Sequence, residues 1–235
     1  MKMIDCIYLM GGIGKRAKLG YPKQFVYLGG KPLFLYGLDV LFEIKEIRNI
    51  IIPTADREKI TGYLESYGYL TKKYDPHLII FVENGASRQE SVKNALKEVE
   101  TDYVLISEAV RPFVTKELVY QVLENDNDII TPVSKMKATL INKKYGMTYS
   151  RKDIGEVQMP QKFKTKLLKE AYTKIETATS LKLEDCTDDC DLVNRVLGNG
   201  IKSIEGIEEN IKITTPLDIK IAEAIYGYKY GGKNE

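Results

Sequence analysis

Between Met10 and Phe25 the chain sets Gly11, Gly12, Gly14 and Gly20 among Lys15, Arg16, Lys18 and Lys23, directly after the apolar run IDCIYLM. Successive backbone N–H groups in a glycine-rich turn that follows a strand form a concave anion site. A helix opening at that point adds partial positive charge. Gly11, Gly12 and Gly14 carry no Cβ to hold a polyphosphate away, and Lys15, Arg16 and Lys23 supply mobile cations. The chemistry that suits this pattern is a clamp on a nucleotide triphosphate. Two other readings compete. The glycines could make a tight turn with the lysines as solvated surface. GIGKRA also matches a dinucleotide fingerprint, which needs an acidic residue about 20 positions on, at the end of the second strand. Asp39 falls inside a helical pattern instead, and Asp56 lies too far along. A Walker-type GxxxxGK[ST] is absent.

Four further clusters carry chemistry. In NGASRQESVKNAL (84–96), Ser87 and Glu90 have the spacing of a capping box. Capping leaves Arg88 unexplained, a guanidinium brought to the carboxyl edge of a sheet, and Ser91 suits either a base contact or packing in the first turn. LISEAVRPFV (105–114) ends a strand with Glu108 and then Arg111. A carboxylate beside a polyphosphate site is the usual means of holding Mg²⁺, while a simple ion pair between Glu108 and Arg111 is the plainer account. CTDDCDLV (186–193) puts three carboxylates in one turn, with Thr187 or Asp188 as N-cap. They either favour the helix dipole or form an acidic edge for substrate hydroxyls. In ENIKITT (209–215), Lys212 sits between Ile211 and Ile213, as on a strand, and points away from both.

The elements that must position these residues are legible as apolar runs. Strands are expected at 4–10, 48–53, 77–83, 102–107 and 128–133, each rich in Ile and Val. Helices are expected at 32–44, 56–70, 87–99 and 115–125 between them. This alternation predicts an α/β fold, a doubly wound, mostly parallel sheet with helices on both faces. After residue 133 the rhythm breaks into short alternating pieces, which predict a protruding β-arm over 134–158. Helices at 164–175 and 188–200, strands at 201–206 and 210–215, and a terminal helix starting at Pro216 complete a single expected domain over 1–230, with 231–235 as a disordered tail.

The totals exclude several classes. With 35 basic and 33 acidic side chains the formal charge is +2, so nothing marks a general nucleic-acid binder. Cys6, Cys186 and Cys190 form no CxxC pair and lie far from His77, which argues against zinc. An odd cysteine count and the lack of a secretory signal fit the cytoplasm. No apolar run approaches the roughly 20 residues needed to span a bilayer, so no membrane partner is expected.

Taken in order, GGIGKR, PKQF, GGKPL, RQESV, RPFV, MPQKF, TDD and NIKITTPLDIKIAE resemble the methylerythritol-phosphate cytidylyltransferase family, which includes the ribitol-5-phosphate cytidylyltransferases. The resemblance implies transfer of CMP from CTP to the phosphate of a small polyol phosphate, with release of pyrophosphate. It implies a homodimer with 134–158 as the arm that reaches the partner, and a divalent cation, Mg²⁺, near Glu108. It assigns Arg16 and Lys23 as the catalytic pair and Lys212 as a third phosphate contact. Met10, Gly11, Gly12, Gly14, Lys15, Gly85, Ala86, Arg88, Ser91 and Glu108 then fall to the nucleotide. Arg151, Thr187, Asp188 and Arg111 fall to the acceptor.

The chain departs from the family pattern at Ser107-Glu108, where His-Asp is usual, at Met159 in QMPQ, and at a missing Asp-Thr after the fifth strand, where Thr139 is the nearest threonine. These changes fall on the acceptor and metal side. MGG and AVRPF resemble the ribitol-phosphate branch, and RQESV the isoprenoid branch. The sequence reading favours a ribitol-type acceptor for a surface glycan, since a diverged acceptor side suits a specialised paralogue. Its alternatives are 2-C-methyl-D-erythritol 4-phosphate, an impaired nucleotide-binding homologue, and a Rossmann-type oxidoreductase.

Overall fold

The protein was analysed as a computed structural model, which describes residues 2–10, 22–69, 78–178 and 181–231. Alternation along the first strand, β1 (Ile4–Leu9), sets the architecture. Cys6, Tyr8 and Met10 face one apolar core and Ile7 the other, so the strand is buried on both sides. It pairs in parallel with β4 (Ile47–Pro53) on one side and with β6 (Tyr103–Glu108) on the other. β5 (Ile79–Val82) extends the sheet beyond β4, also parallel. The short β2 (Tyr27–Leu28) and β3 (Lys31–Pro32) form a separate hairpin.

The other edge departs from a purely parallel sheet. β9 (Gln161–Lys164) runs antiparallel between β6 and β7 (Ile129–Lys135), β8 (Gly155–Val157) pairs antiparallel with the end of β7, and β10 (Lys202–Glu205) closes the edge in parallel with β7. The full order is β10-β7-β9-β6-β1-β4-β5, with β8 on β7. The expected α/β doubly wound sheet is therefore present, with β9 as a strand that the sequence reading did not separate from its surroundings.

Helices cover both faces. α1 (Leu33–Phe42), α2 (Arg57–Ser66) and α4 (Lys116–Leu123) lie over one core, where Phe34, Leu38, Ile60, Leu64, Val119 and Val122 are buried. α3 (Arg88–Ala95), α5 (Thr165–Thr177) and α6 (Asp189–Leu197) cover the other, through Val92, Leu168, Tyr172 and Leu192. α6 ends at Gly198, whose φ of 70° is the left-handed conformation that only glycine adopts cheaply. α7 (Pro216–Tyr230) starts with Pro216 inside a capping box made by Thr215 and Asp218. It packs on β2 beside a third small core that includes Val26, Phe113 and Ile213. No helix among the described residues is long and apolar enough to cross a membrane.

Two expectations need correction. Residues 210–215 form no strand. Their backbone bonds go to loops: the Ile213 N–H donates to Val110 O, and Ile213 O accepts from Lys23 Nζ. The alternation itself holds, since Ile213 is buried and Lys212 faces the other way, toward Glu108. In the 134–158 stretch, regular pairing is limited to the end of β7, to β8 and to one bridge between Ile141 and Thr148. Residues 232–235 of the expected tail lie outside the described residues.

Candidate active site

Register brings the clusters together. Leu9 stands opposite Glu108 across the β1–β6 pair, so the end of β1 lies beside the carboxylate that ends β6. β1 has β4 on one side and β6 on the other, which is the switch point where open α/β sheets bind ligands. Gly11, Gly12, Gly14, Lys15 and Arg16 lie outside the described residues. Met10 is described, and its side chain is packed in the core, which leaves its backbone as the part a ligand could meet.

Glu108 is almost fully buried and meets three cations. Its Oε1 lies 2.7 Å from Lys212 Nζ and 3.5 Å from Arg88 Nε, and its Oε2 lies 3.2 Å from Arg111 Nε. Burial alone would raise its pKa, but Lys212, then Arg88 and Arg111, overcome that and hold it at about 2. Glu108 thus reaches a cation from α3 as well as one from its own loop. Arg111 also donates from Nη1 to Asn210 O, which ties this group to the segment carrying Lys212. Lys23, in a 3-10 turn (Lys23–Phe25), donates to Ile213 O at 3.2 Å, one residue from Lys212. Lys23 and Lys212, read separately from the sequence, are in this way anchored to one segment.

Arg88 is the first residue of α3 and spans to the opposite helix. Its Nη1 lies 2.8 Å from Asp189 Oδ2, and Asp189 Oδ1 accepts from the Tyr172 hydroxyl at 2.6 Å. Asp189 is fully buried. Burial opposes the charge on Arg88, but Asp189 and then Glu108 raise its pKa above the ordinary arginine value. The guanidinium expected on the nucleotide therefore links the acidic turn of α6 to Glu108. Neither Asp189 nor Tyr172 was singled out in sequence. The second acid of TDD was the available signal for Asp189, and nothing local marks Tyr172.

The loop before α3 is braced by its own side chains. Ser87 caps the helix by accepting from the Glu90 N–H, and Glu90 Oε2 accepts from the Ala86 N–H. Ser91 is buried, and its Oγ accepts from the Gly85 N–H while lying 2.9 Å from Asn84 Oδ1. A Cβ on Gly85 would meet the Glu90 and Ser91 backbone at 2.6 Å, so only glycine fits. Gly85, Ala86 and Ser91 thus shape one turn, with the Ser91 hydroxyl already engaged.

Beside Glu108 opens a cavity of about 420 Å³. Arg88, Arg111 and Lys212 stand at its cationic end, and Thr187, Asp188, Asp191 and Asn194 line another part. Asp188 is the N-cap of α6, accepting from Asp191 N–H, and its other oxygen accepts from Gln161 Nε2 at 2.9 Å. Thr187 donates through N and Oγ1 to Asp191 Oδ2. Gln158 holds the neighbouring loop through paired bonds with the Ile207 backbone. Arg151 is not brought to this cavity: it is exposed on the 134–158 stretch and donates to Lys137 O.

The donor set around Glu108 does not fit a metal. Both carboxylate oxygens face cations, and a dication placed there would meet three positive groups. Among the described residues no group of three or more His, Cys, Asp or Glu side chains could hold an ion. Cys6, Cys186 and Cys190 are buried free thiols.

Comparisons with known proteins find relatives along nearly the whole chain. The family model for 2-C-methyl-D-erythritol 4-phosphate cytidylyltransferase matches residues 4–227. The 2-C-methyl-D-erythritol 4-phosphate cytidylyltransferase of Alkaliphilus metalliredigens is 34% identical over 240 residues, covering 98% of this chain and 95% of that protein. The enzyme of the same name from Fusobacterium nucleatum is 36% identical over 231 residues, covering 93% and 95%. The crystal structure of 4-diphosphocytidyl-2C-methyl-D-erythritol synthase from Anaerococcus prevotii superposes with a TM-score of 0.80 at 29% identity, covering 95% of this chain and 96% of that one. These names back the methylerythritol-phosphate alternative over the ribitol-type acceptor favoured from sequence. With its motifs in order and matches of this extent, the chain belongs to the 2-C-methyl-D-erythritol 4-phosphate cytidylyltransferase family of nucleotidyltransferases.

Proposed function

We propose that this chain transfers CMP from CTP to the phosphate of 2-C-methyl-D-erythritol 4-phosphate and releases pyrophosphate, a step of isoprenoid synthesis in the cytoplasm. The observation that carries the reading is the cavity at the end of β6, cationic around Glu108 and acidic along the start of α6. A phosphate suits the first end and hydroxyls suit the second. In this reading Lys212 and Arg111 hold the acceptor phosphate, and Asp188 and Thr187 meet its hydroxyls. A phosphate oxygen of the acceptor attacks the α-phosphorus of CTP. The bond from that phosphorus to the β-phosphate oxygen breaks, and pyrophosphate leaves. No covalent enzyme intermediate is needed, so catalysis is positioning and charge stabilisation. Lys23 and Arg16 supply the charge for the departing pyrophosphate. A divalent cation belongs to this reading as a companion of the triphosphate rather than as a ligand of Glu108.

A homodimer is part of the proposal. Leu140, Ile141, Tyr145, Met147 and Tyr149 are exposed on the 134–158 stretch, and a second copy would cover them. Pyrophosphate release with CTP, Mg²⁺ and a panel of polyol phosphates tests the function. 2-C-methyl-D-erythritol 4-phosphate should be the preferred acceptor. Preference for ribitol 5-phosphate would replace the acceptor, and CTP binding without pyrophosphate release from any acceptor would favour the impaired homologue.

A further inference from the structure

The polar parts of the cavity suit a phosphate and hydroxyls, but part of its lining is apolar. Val157, Met159, Cys190 and Ile201 all border it. Val157 stands opposite Val133 on β7, and Ser203 stands opposite Thr131, two residues earlier on the same strand. Val157 on β8 and Ile201, which directly precedes β10, flank β7 from either side and border the same cavity. Both remain open, 42% and 38% exposed, although they sit beside buried Met159 and Cys190. A cavity shaped for an unbranched polyol has little use for such a wall, since a hydroxyl placed against it loses its partners. The acceptor of the proposed reaction carries a methyl group on C2, its one apolar branch.

We infer that Val157, Met159 and Ile201 form an apolar wall that receives the methyl branch of the acceptor and so separates 2-C-methyl-D-erythritol 4-phosphate from unbranched polyol phosphates. The inference rests on the function proposed above and adds the residues that decide acceptor choice. Discrimination by one methyl in an apolar pocket is typically about 10- to 200-fold.

The test compares kcat/KM for 2-C-methyl-D-erythritol 4-phosphate, for D-erythritol 4-phosphate, which lacks only the methyl, and for ribitol 5-phosphate. The wild-type protein should favour the methylated tetrol over the plain one by about tenfold or more. In Val157→Thr/Ile201→Thr, and separately in Met159→Thr, that ratio should fall at least about threefold, the loss falling mainly on the methylated acceptor. Equal efficiency with both tetrols in the wild type overturns the wall while leaving the cytidylyltransferase reading intact, and this comparison needs no variant to fold. A ratio unchanged in folded variants also overturns the wall. Preference for ribitol 5-phosphate, or turnover of none of the three, overturns the functional reading and the wall with it.

Discussion

Replacing Glu108 by glutamine removes one negative charge from among Arg88, Arg111 and Lys212 while keeping the side chain's size. The carboxyl is held at about 2, against 4.5 for an ordinary glutamate. At about 1.4 kcal/mol per pH unit, that depression corresponds to roughly 3 kcal/mol of folding stability. Glu108 is almost fully buried, so solvent screening takes little from the figure. The value sits at the lower end of the roughly 3–5 kcal/mol lost when one partner of a buried ion pair is removed. For a chain of this length, Glu108→Gln should lower Tm at pH 7 by roughly 6–12 °C. The sign of the pH dependence follows from a depressed acid. The contribution is complete above pH 4.5 and is lost as pH falls through 2, with about half remaining at pH 3. Thermal melts or urea titrations of both proteins at pH 7 and pH 3 read the difference directly. Equal stability at pH 7, or a gap that does not narrow in acid, would refute the view that three cations are balanced on this one carboxylate.

Lys23→Ala should lower kcat by roughly 10²–10³-fold, with circular dichroism unchanged; near-normal turnover would remove Lys23 from the reacting phosphates. Tyr172→Phe deletes the bond to Asp189, which holds Arg88 at the cavity wall, and should raise the acceptor KM a few-fold while the CTP KM stays put. Equal changes in both constants would reduce Tyr172 to a packing residue. Tyr145→Ser/Met147→Ser should shift sedimentation toward the monomer, and an unchanged mass would take the exposed arm residues out of the subunit contact.

Much of the fold was legible because buried parallel strands are short Ile/Val runs, and β1, β4, β6 and β7 lie where those runs do. β9 was not, because its sequence QKFK does not look like a buried strand. Only the finished sheet explains it. Lys162 is buried with its ammonium on the carbonyls of Leu123 and Asn125 at the end of α4, and burial lowers its pKa. The 210–215 segment failed in the other direction. It alternates like a strand, but no neighbouring strand supplies the ladder. In the site, Glu108, Arg111 and Lys212 were visible as residue types, whereas the cage they form was not. Arg88 and Asp189 lie 101 positions apart, and no local pattern links them. Asp189 read as one more acid favouring a helix dipole, and in the fold it is the buried anchor of an arginine. Val157 and Ile201 look like ordinary strand residues until β7 is placed between them.

The backward course of β9 has an evolutionary corollary. It lies between β6, which ends opposite Leu9 of β1, and β7, which carries β8 and β10 at the far edge. In the function proposed above, the glycine-rich segment in the first third of the chain serves the nucleotide, while the residues assigned to the acceptor come largely from beyond position 150. Selection can therefore reshape the later segments, trading one sugar alcohol for another, while the earlier ones keep their hold on the nucleotide. Substitutions clustered on one side of that returning strand are the trace such divergence would leave among descendants of a common ancestor.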